Sequence, residues 1–371
     1  MRLIRALLFV GAIGAAACGR ADRAAPTASP VATATPLLSA TPGAVESVYA
    51  HIGPGDMNPA IAGAVSRVYV PNSMSNTVDV IDPASLQIVE HFAVGALPQH
   101  VTPSWDMKTL YVDNDKGNTL TPIDALTGKR GKSFAVTDPY NLYFTPDGRY
   151  AIVVAERLRT LYFRDPHTWE VVKTVSIKHS GPNHLDFTPD GRYLLISCEF
   201  SGYGVKVDVQ RMEAVDSVHV GGKPADVRIS PDGKTFFVAN EFRNGVSVID
   251  PERMVERTFI KTGHGAHGFV VSRDGTKLYV TNRTGGSVSV LDMQTQNIIT
   301  KWITGGSPDM GGVSADGTRL WLSNRYGGSV MAIDTSDGHV VARISVGSGP
   351  HGVCVFPQPG RYSLGHTGNY R

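Results

Sequence analysis

The chain has 371 residues with 35 Lys+Arg against 33 Asp+Glu, and its surplus of two positive charges is accounted for by Arg2 and Arg5 at the extreme N-terminus. A neutral remainder excludes the basic footprint of a nucleic-acid binder and provides no long-range attraction to anionic membranes. Three widely separated cysteines, Cys18, Cys198 and Cys354, exclude a disulfide framework and a Cys-pair metal site.

In chain order, residues 1–18 read as an export signal. Arg2 and Arg5 form a basic start, Leu7 to Gly14 an apolar run, and Ala15, Ala16 and Ala17 precede Cys18. This ending resembles the lipobox of bacterial lipoproteins, with Ala15 where Leu is more usual, and it makes Cys18 the expected lipidated residue. The expected location is outside the cytoplasmic membrane, periplasmic or at the cell surface, with membrane attachment through the N-terminal lipid only. Residues 19–46 are rich in Ala, Thr, Pro and Ser, which cannot bury enough apolar surface to offset chain entropy, so they read as a disordered tether.

From there to the C-terminus, residues 47–371, one phrase recurs. YVPN ends at Asn72, YVDN at Asn114, FVAN at Asn240, YVTN at Asn282 and WLSN at Asn324, at intervals of 42 or three times 42. A period in this range marks a repeat architecture, whose units share one continuous core. Each unit opens on a fixed position, namely Pro98, Pro139, Pro182, Pro224, Ala266, Pro308 and Pro350, which gives seven units. Within a unit follow an inner apolar run (LYFT, LDFT, VRIS, FVVS), the YVxN run, a VxVID run and a final alternating run. Short runs rich in Val, Ile, Tyr and Phe between turn residues are strands.

Asp-Gly at Asp147, Asp190, Asp232, Asp274 and Asp316 supplies the tight hairpin between the first two strands, so these aspartates read as turn formers rather than calcium ligands. Seven four-stranded antiparallel units arranged radially make an all-β, seven-bladed β-propeller. The first unit lacks an inner strand before Arg67 to Asn72, while a surplus one, Gly352 to Phe356, stands near the C-terminus. The C-terminal strand is therefore expected to complete the first blade and remove a free edge. The tail, residues 357–371, is left either displacing the N-terminal segment or crossing a face, where His366 and Tyr370 approach the channel.

These units resemble the YVTN β-propeller repeat family, which includes YncE-like exported bacterial proteins, over about Arg67 to Phe356. Ala155 and Cys198 depart from the motif by replacing its Asn. The resemblance implies the propeller and no established reaction.

Candidate site residues are those the repeat leaves variable. Loops entering each inner strand line one channel mouth and carry Gln99-His100, Tyr140-Asn141, Asn183-His184, Ala225-Asp226, His267-Gly268, Asp309-Met310 and His351-Gly352. Turns have no need of imidazole, yet four of the 12 histidines fall here. Loops after the Asn position share that face and carry Ser73, Asp115, Glu156, Glu199, Glu241, Arg283 and Arg325, an acidic arc followed by a basic one. That split suits a polar or zwitterionic ligand.

The expected ligand site comprises His100, Asn141, His184, Asp226, His267, Asp309, Met310, His351, Glu199, Glu241, Arg283 and Arg325. No residue is assigned a catalytic role. A metal is the sharper alternative for His100, His267, Met310 and His351, because imidazole with thioether suits copper and imidazole with carboxylate suits zinc or iron.

Gly263 to Gly268 satisfies GxGxxG but precedes a strand instead of opening a helix, so it is an interblade turn. The reading that follows is a monomeric, non-enzymatic binding module for a small molecule or protein, without a required cofactor. A metal- or haem-associated redox accessory and a lactonase-like hydrolase are the alternatives.

Overall fold

The computed structural model describes residues 46–371, so the expected export signal, the expected lipidation site Cys18 and the expected tether as far as residue 45 lie outside the described residues. The remainder is a seven-bladed propeller, each blade a four-stranded antiparallel sheet. Its inner strands are Pro98–Pro103, Asn141–Phe144, Pro182–Phe187, Pro224–Ile229, Ala266–Val271, Pro308–Val313 and, closing the ring, Cys354–Phe356. The last pairs with Arg67–Asn72 in the register Arg67↔Phe356, Val68↔Val355, Tyr69↔Cys354, so the C-terminal strand completes the first blade. Inner and second strands are buried almost throughout because neighbouring blades cover both faces. The outermost strands are half exposed; in Glu213–His219 only Val218 is buried. Among the described residues no helix is long and apolar enough to cross a membrane.

Two repeated polar devices hold the blades in shape. The Asn of YVxN ties the strand end to its neighbours: Asn282 Nδ2 donates to Ser287 and Ser289 Oγ (both 3.1 Å) while its Oδ1 accepts from Thr262 Oγ1 (2.9 Å). In the hairpins, Asp232 accepts from Ser230 Oγ at 2.6 Å, and Gly233 has a φ of +71° with Pro189 of the adjacent blade so close that a Cβ would lie 2.1 Å from it. Only glycine meets both conditions.

A β-bulge turns the candidate residues toward the axis. In five blades the opening position pairs with the residue at the Asn position, an Asn in four and Cys198 in the fifth, but the next regular pair lies three residues on along the inner strand and two back along its partner, as in Pro182↔Cys198 followed by Leu185↔Ile196. The extra residue breaks the alternation and re-aims the side chains beside it. Hydroxyls on the second strand take up amides that the bulge leaves unpaired: Ser197 Oγ accepts from His184 N, Thr281 Oγ1 from Gly268 N and Ser323 Oγ from Met310 N, at 3.2, 2.8 and 3.2 Å. The third blade, where Ala155 replaces the Asn, has no such bulge and its inner strand starts at Asn141.

The tail crosses the hairpin face and enters the channel. Its short hairpin, bridged at Ser363↔Tyr370, adds to the inner strand of the third blade, where Phe144 N donates to Leu364 O (2.9 Å) and His366 N to Leu142 O (2.7 Å). Gly365, at φ +91°, makes this approach possible, since a Cβ there would lie 2.5 Å from Leu142 O. The segment after Glu46, including the 3-10 turn Pro59–Ile61, covers the same face and buries Tyr49, Ile52 and Ile61 against the core. The N-terminal segment is thus not displaced; it packs beside the tail, with Met57 bridged to Pro359.

Candidate functional site

From the mouth inward, the channel is lined first by the residue after each opening position, then by the second, then by the fourth. The rim lies above them. Lys223 Nζ bridges Glu199 Oε1 and Glu241 Oε2 at 2.7 and 2.9 Å, and Arg157 pairs with Asp138 and Asp115 at 2.6 and 3.4 Å. The acidic arc is therefore partly neutralised by two cations outside the two residue sets read from the repeat. Glu156 lacks such a cation: burial, then Glu199 and Asp115, push its carboxyl up to about 8. Asn183 Nδ2 donates to Glu156 Oε1 (3.1 Å) and to Glu199, linking the first channel layer to the rim. Burial, then Asp138, push Asp115 up to about 7.

On the opposite side the centre is Asp309, which has no solvent exposure. Burial alone would raise its pKa, but the Arg283 guanidinium, then His267 and His351, hold it well below the usual carboxylate range. Arg283 donates to its Oδ1 through Nε at 2.9 Å and Nη2 at 2.6 Å. Arg283 Nη2 also donates to His267 Nε2 at 2.5 Å, which puts the His267 proton on Nδ1, 2.8 Å from the same carboxylate oxygen but off the line of a hydrogen bond. Arg325 Nε and His351 Nε2 stand 3.8 and 3.5 Å from Oδ2. That oxygen, Arg325 Nη1, His351 Nδ1 and Gln99 Oε1 are buried without hydrogen-bond partners.

From His267 and His351 inward the histidines form a row. Ring centres are 6.2 Å apart for His267 and His351, 4.9 Å for His351 and His100, 5.5 Å for His100 and His184, and 4.7 Å for His184 and His366. Burial pushes His100 down to about 4, with the Tyr140 carbonyl opposing, and pushes His184, His351 and His366 well below the ordinary imidazole value. All four are neutral at pH 7.

The innermost layer is a charge clamp. Arg228 Nη1 donates to Asp226 Oδ1 (2.8 Å), Arg371 Nη2 to Asp186 Oδ1 (2.6 Å), and the far carboxylate oxygens accept backbone amides of the next blade, Phe269 N (2.9 Å) and Ile229 N (3.0 Å). Every carboxylate oxygen here is engaged, and the two Oδ2 atoms tie neighbouring blades together.

The structure thus brings His100, His184, His267, Asp309, His351, Glu199, Glu241, Arg283 and Arg325 to one channel and its rim. Two expected ligand residues serve the scaffold instead: Asp226 is spent on Arg228 and Phe269, and Asn141 donates to Tyr143 Oη (3.3 Å). The expected metal set regroups. His100 joins His184 and His366, while His267 and His351 share Asp309. Met310 is buried with its Cγ against Gly268. Among the described residues neither cysteine offers a thiolate, since burial pushes Cys198 up to about 12 and raises Cys354 further. Lys223 and Arg157 were outside the motif pattern; Lys223 stands one residue before an opening Pro and could have been found by extending the loop comparison one position upstream.

The chain matches the YNCE-like β-propeller family over residues 28–361. It belongs to that family. No curated protein shows significant similarity to it. Among solved structures, a hydrazine synthase chain of Kuenenia stuttgartiensis superposes with a TM-score of 0.60 at 22% identity, covering 69% of this chain and 88% of that one. A functionally unknown protein from Desulfotomaculum acetoxidans DSM 771 gives 0.66 at 19%, covering 78% and 98%. Dihydro-heme d1 dehydrogenase NirN in complex with DHE gives 0.60 at 18%, covering 78% and 75%. At these identities the likeness is one of fold, which the family shares with proteins of unrelated chemistry.

Proposed function

We propose that this member of the family is an exported, lipid-anchored binding module that takes a small polar ligand with an anionic group at the channel mouth. One observation carries the reading: Arg325 Nη1, His351 Nδ1, Asp309 Oδ2 and Gln99 Oε1 are buried on neighbouring blades without a hydrogen-bond partner. Leaving such groups unsatisfied costs about 1–3 kcal/mol each, so a ligand that pairs them recovers that cost. The anionic group faces Arg325, the cation least engaged by Asp309, and polar groups of the ligand face Gln99 and the protonated Glu156 side. Export and anchoring rest on the N-terminal basic and apolar runs before Cys18.

Thermal unfolding against a panel of small mono- and dicarboxylates and amino acids tests the mouth. A binder at a hundredfold over its Kd adds about 2.7 kcal/mol of stability, and Arg325→Gln is expected to abolish that gain. No stabilisation by any member of the panel, or an unchanged gain in Arg325→Gln, overturns it. Anchoring is tested separately: Cys18→Ser is expected to move the protein from the membrane fraction to the soluble fraction, and continued membrane association refutes lipidation.

The name of one structural neighbour, a dihydro-heme d1 dehydrogenase, suggests a cofactor reading, but the separations of 4.7 Å between the ring centres of His184 and His366 and 5.5 Å between those of His100 and His184 leave room for an ion and not for a macrocycle.

A further inference from the structure

We propose that His100, His184 and the tail residue His366 form a transition-metal site for a late first-row divalent ion, zinc or copper, which pins the C-terminal tail into the channel. The three side chains come from the second blade, the fourth blade and the tail, and are at most 1% exposed. One ring nitrogen from each lies within 4.8 Å of the others. Three imidazoles bound at ~2.0 Å around one tetrahedral ion place their ring centres ~5 Å apart. The observed separations are 5.5 Å for His100 and His184, 5.0 Å for His100 and His366, and 4.7 Å for His184 and His366.

Hydrogen bonding singles out the nitrogens that face the centre. His100 Nδ1 donates to the Tyr140 carbonyl at 3.0 Å, which leaves the Nε2 lone pair free and unpartnered. A backbone carbonyl on the distal nitrogen is the usual way a ligating imidazole is oriented. For His366, one tautomer has Nδ1 accepting from the Thr367 amide (2.5 Å) and leaves an N–H aimed at two other imidazoles. The other donates Nδ1–H to Thr367 Oγ1 (2.7 Å), whose hydroxyl donates to Gly311 O (3.4 Å), and leaves Nε2 as a lone pair. An ion requires the second, in which the Thr367 amide gives up Nδ1 as its acceptor. His184 has no hydrogen bond at either ring nitrogen although it is wholly buried, an arrangement that costs free energy unless something occupies the centre.

The second group of potential ligands does not compete. His267 and His351 stand 6.2 Å apart between ring centres, and the Arg283 guanidinium occupies His267 Nε2, setting a fixed positive charge beside any cation. With three neutral nitrogen ligands and no thiolate or carboxylate, the triad suits zinc or copper over magnesium, calcium or manganese. The proposal is independent of the mouth ligand: the triad lies deeper, and its third member comes from outside the repeat.

The test uses metal-stripped protein, folded and also refolded in the presence of Zn²⁺ or Cu²⁺ so that burial cannot block loading. Native mass spectrometry is expected to show one ion per chain, and a Cu²⁺-loaded sample to show nitrogen superhyperfine splitting in its electron paramagnetic resonance spectrum. His184→Ala and His366→Ala are each expected to weaken binding by at least ~100-fold while circular dichroism stays that of a folded propeller. The exposed-site control His339→Ala is expected to bind like the unmodified protein. Zinc is also expected to slow hydrogen exchange over residues 361–371 in the unmodified protein and not in His366→Ala. No ion by either loading route, equal binding in His184→Ala, or tail exchange indifferent to zinc each overturns the proposal.

Discussion

Arg371→Ala is expected to cost about 3–5 kcal/mol of unfolding free energy, because it leaves the Asp186 carboxylate buried without its cation. Asp186 has no solvent exposure, and apart from Arg371 its oxygens accept only from backbone amides, its neighbour Phe187 and Ile229 of the next blade. Arg371 is therefore part of the core. Its guanidinium also lies over the Tyr49 ring, 4.8 Å from the centroid, and its own backbone closes the tail hairpin, Arg371 N donating to Tyr362 O at 3.1 Å. Denaturant unfolding measures the loss. Hydrogen exchange over residues 361–371 is expected to quicken in step, since the clamp is what holds the tail end in the channel. A loss under about 1 kcal/mol would mean that Asp186 finds a substitute partner, Arg228 being the nearest candidate in the same layer.

How much of this was legible beforehand follows from the kind of interaction involved. The blade count, the hairpins and the ring closure depend on local strand and turn chemistry at a fixed period, so the Asn positions and Asp-Gly pairs were enough. The gathering of His100, His184, His267 and His351 at one channel also follows from the period, since equivalent positions in a ring share one face. The pairing among them does not. Whether His267 faces a metal or Arg283 is decided by distances of 2 to 4 Å between side chains on adjacent blades, which a 42-residue spacing cannot resolve. Asp226 shows a signal that went unused. Arg228 stands two positions on, on the same side of the strand, and an acid and a base at that spacing within an inner strand favour a mutual clamp over a ligand site. His366 lies outside every repeat unit, so the third member of the deep triad had no equivalent position to be compared with.

Arg283→Leu is expected to be as damaging as the loss of Arg371, about 3–5 kcal/mol at pH 7, and its dependence on pH distinguishes the cause. In the unmodified protein Asp309 is held well below the usual carboxylate range, so its contribution to stability is present above its unfolded value and is lost as pH falls through the folded one. Without Arg283, burial dominates and the folded pKa rises above ~3.9, so Asp309 favours the folded state only when protonated. That contribution is then present at low pH and disappears as pH rises. The deficit relative to the unmodified protein is therefore largest at neutral pH and is expected to shrink by roughly half by pH 5. The double variant Arg283→Leu/Asp309→Leu is expected to lose less than Arg283→Leu alone, because the uncompensated charge is gone. Paired unfolding curves at pH 5 and pH 7 measure both effects; a deficit that is flat with pH and additive in the double variant would assign Arg283 to packing alone. The consequence reaches the mouth, because Asp309 engages Arg283 at 2.6 Å and Arg325 only at 3.8 Å. Asp309 thereby decides which of the two arginines is committed to the scaffold, and leaves Arg325 as the one available to a ligand.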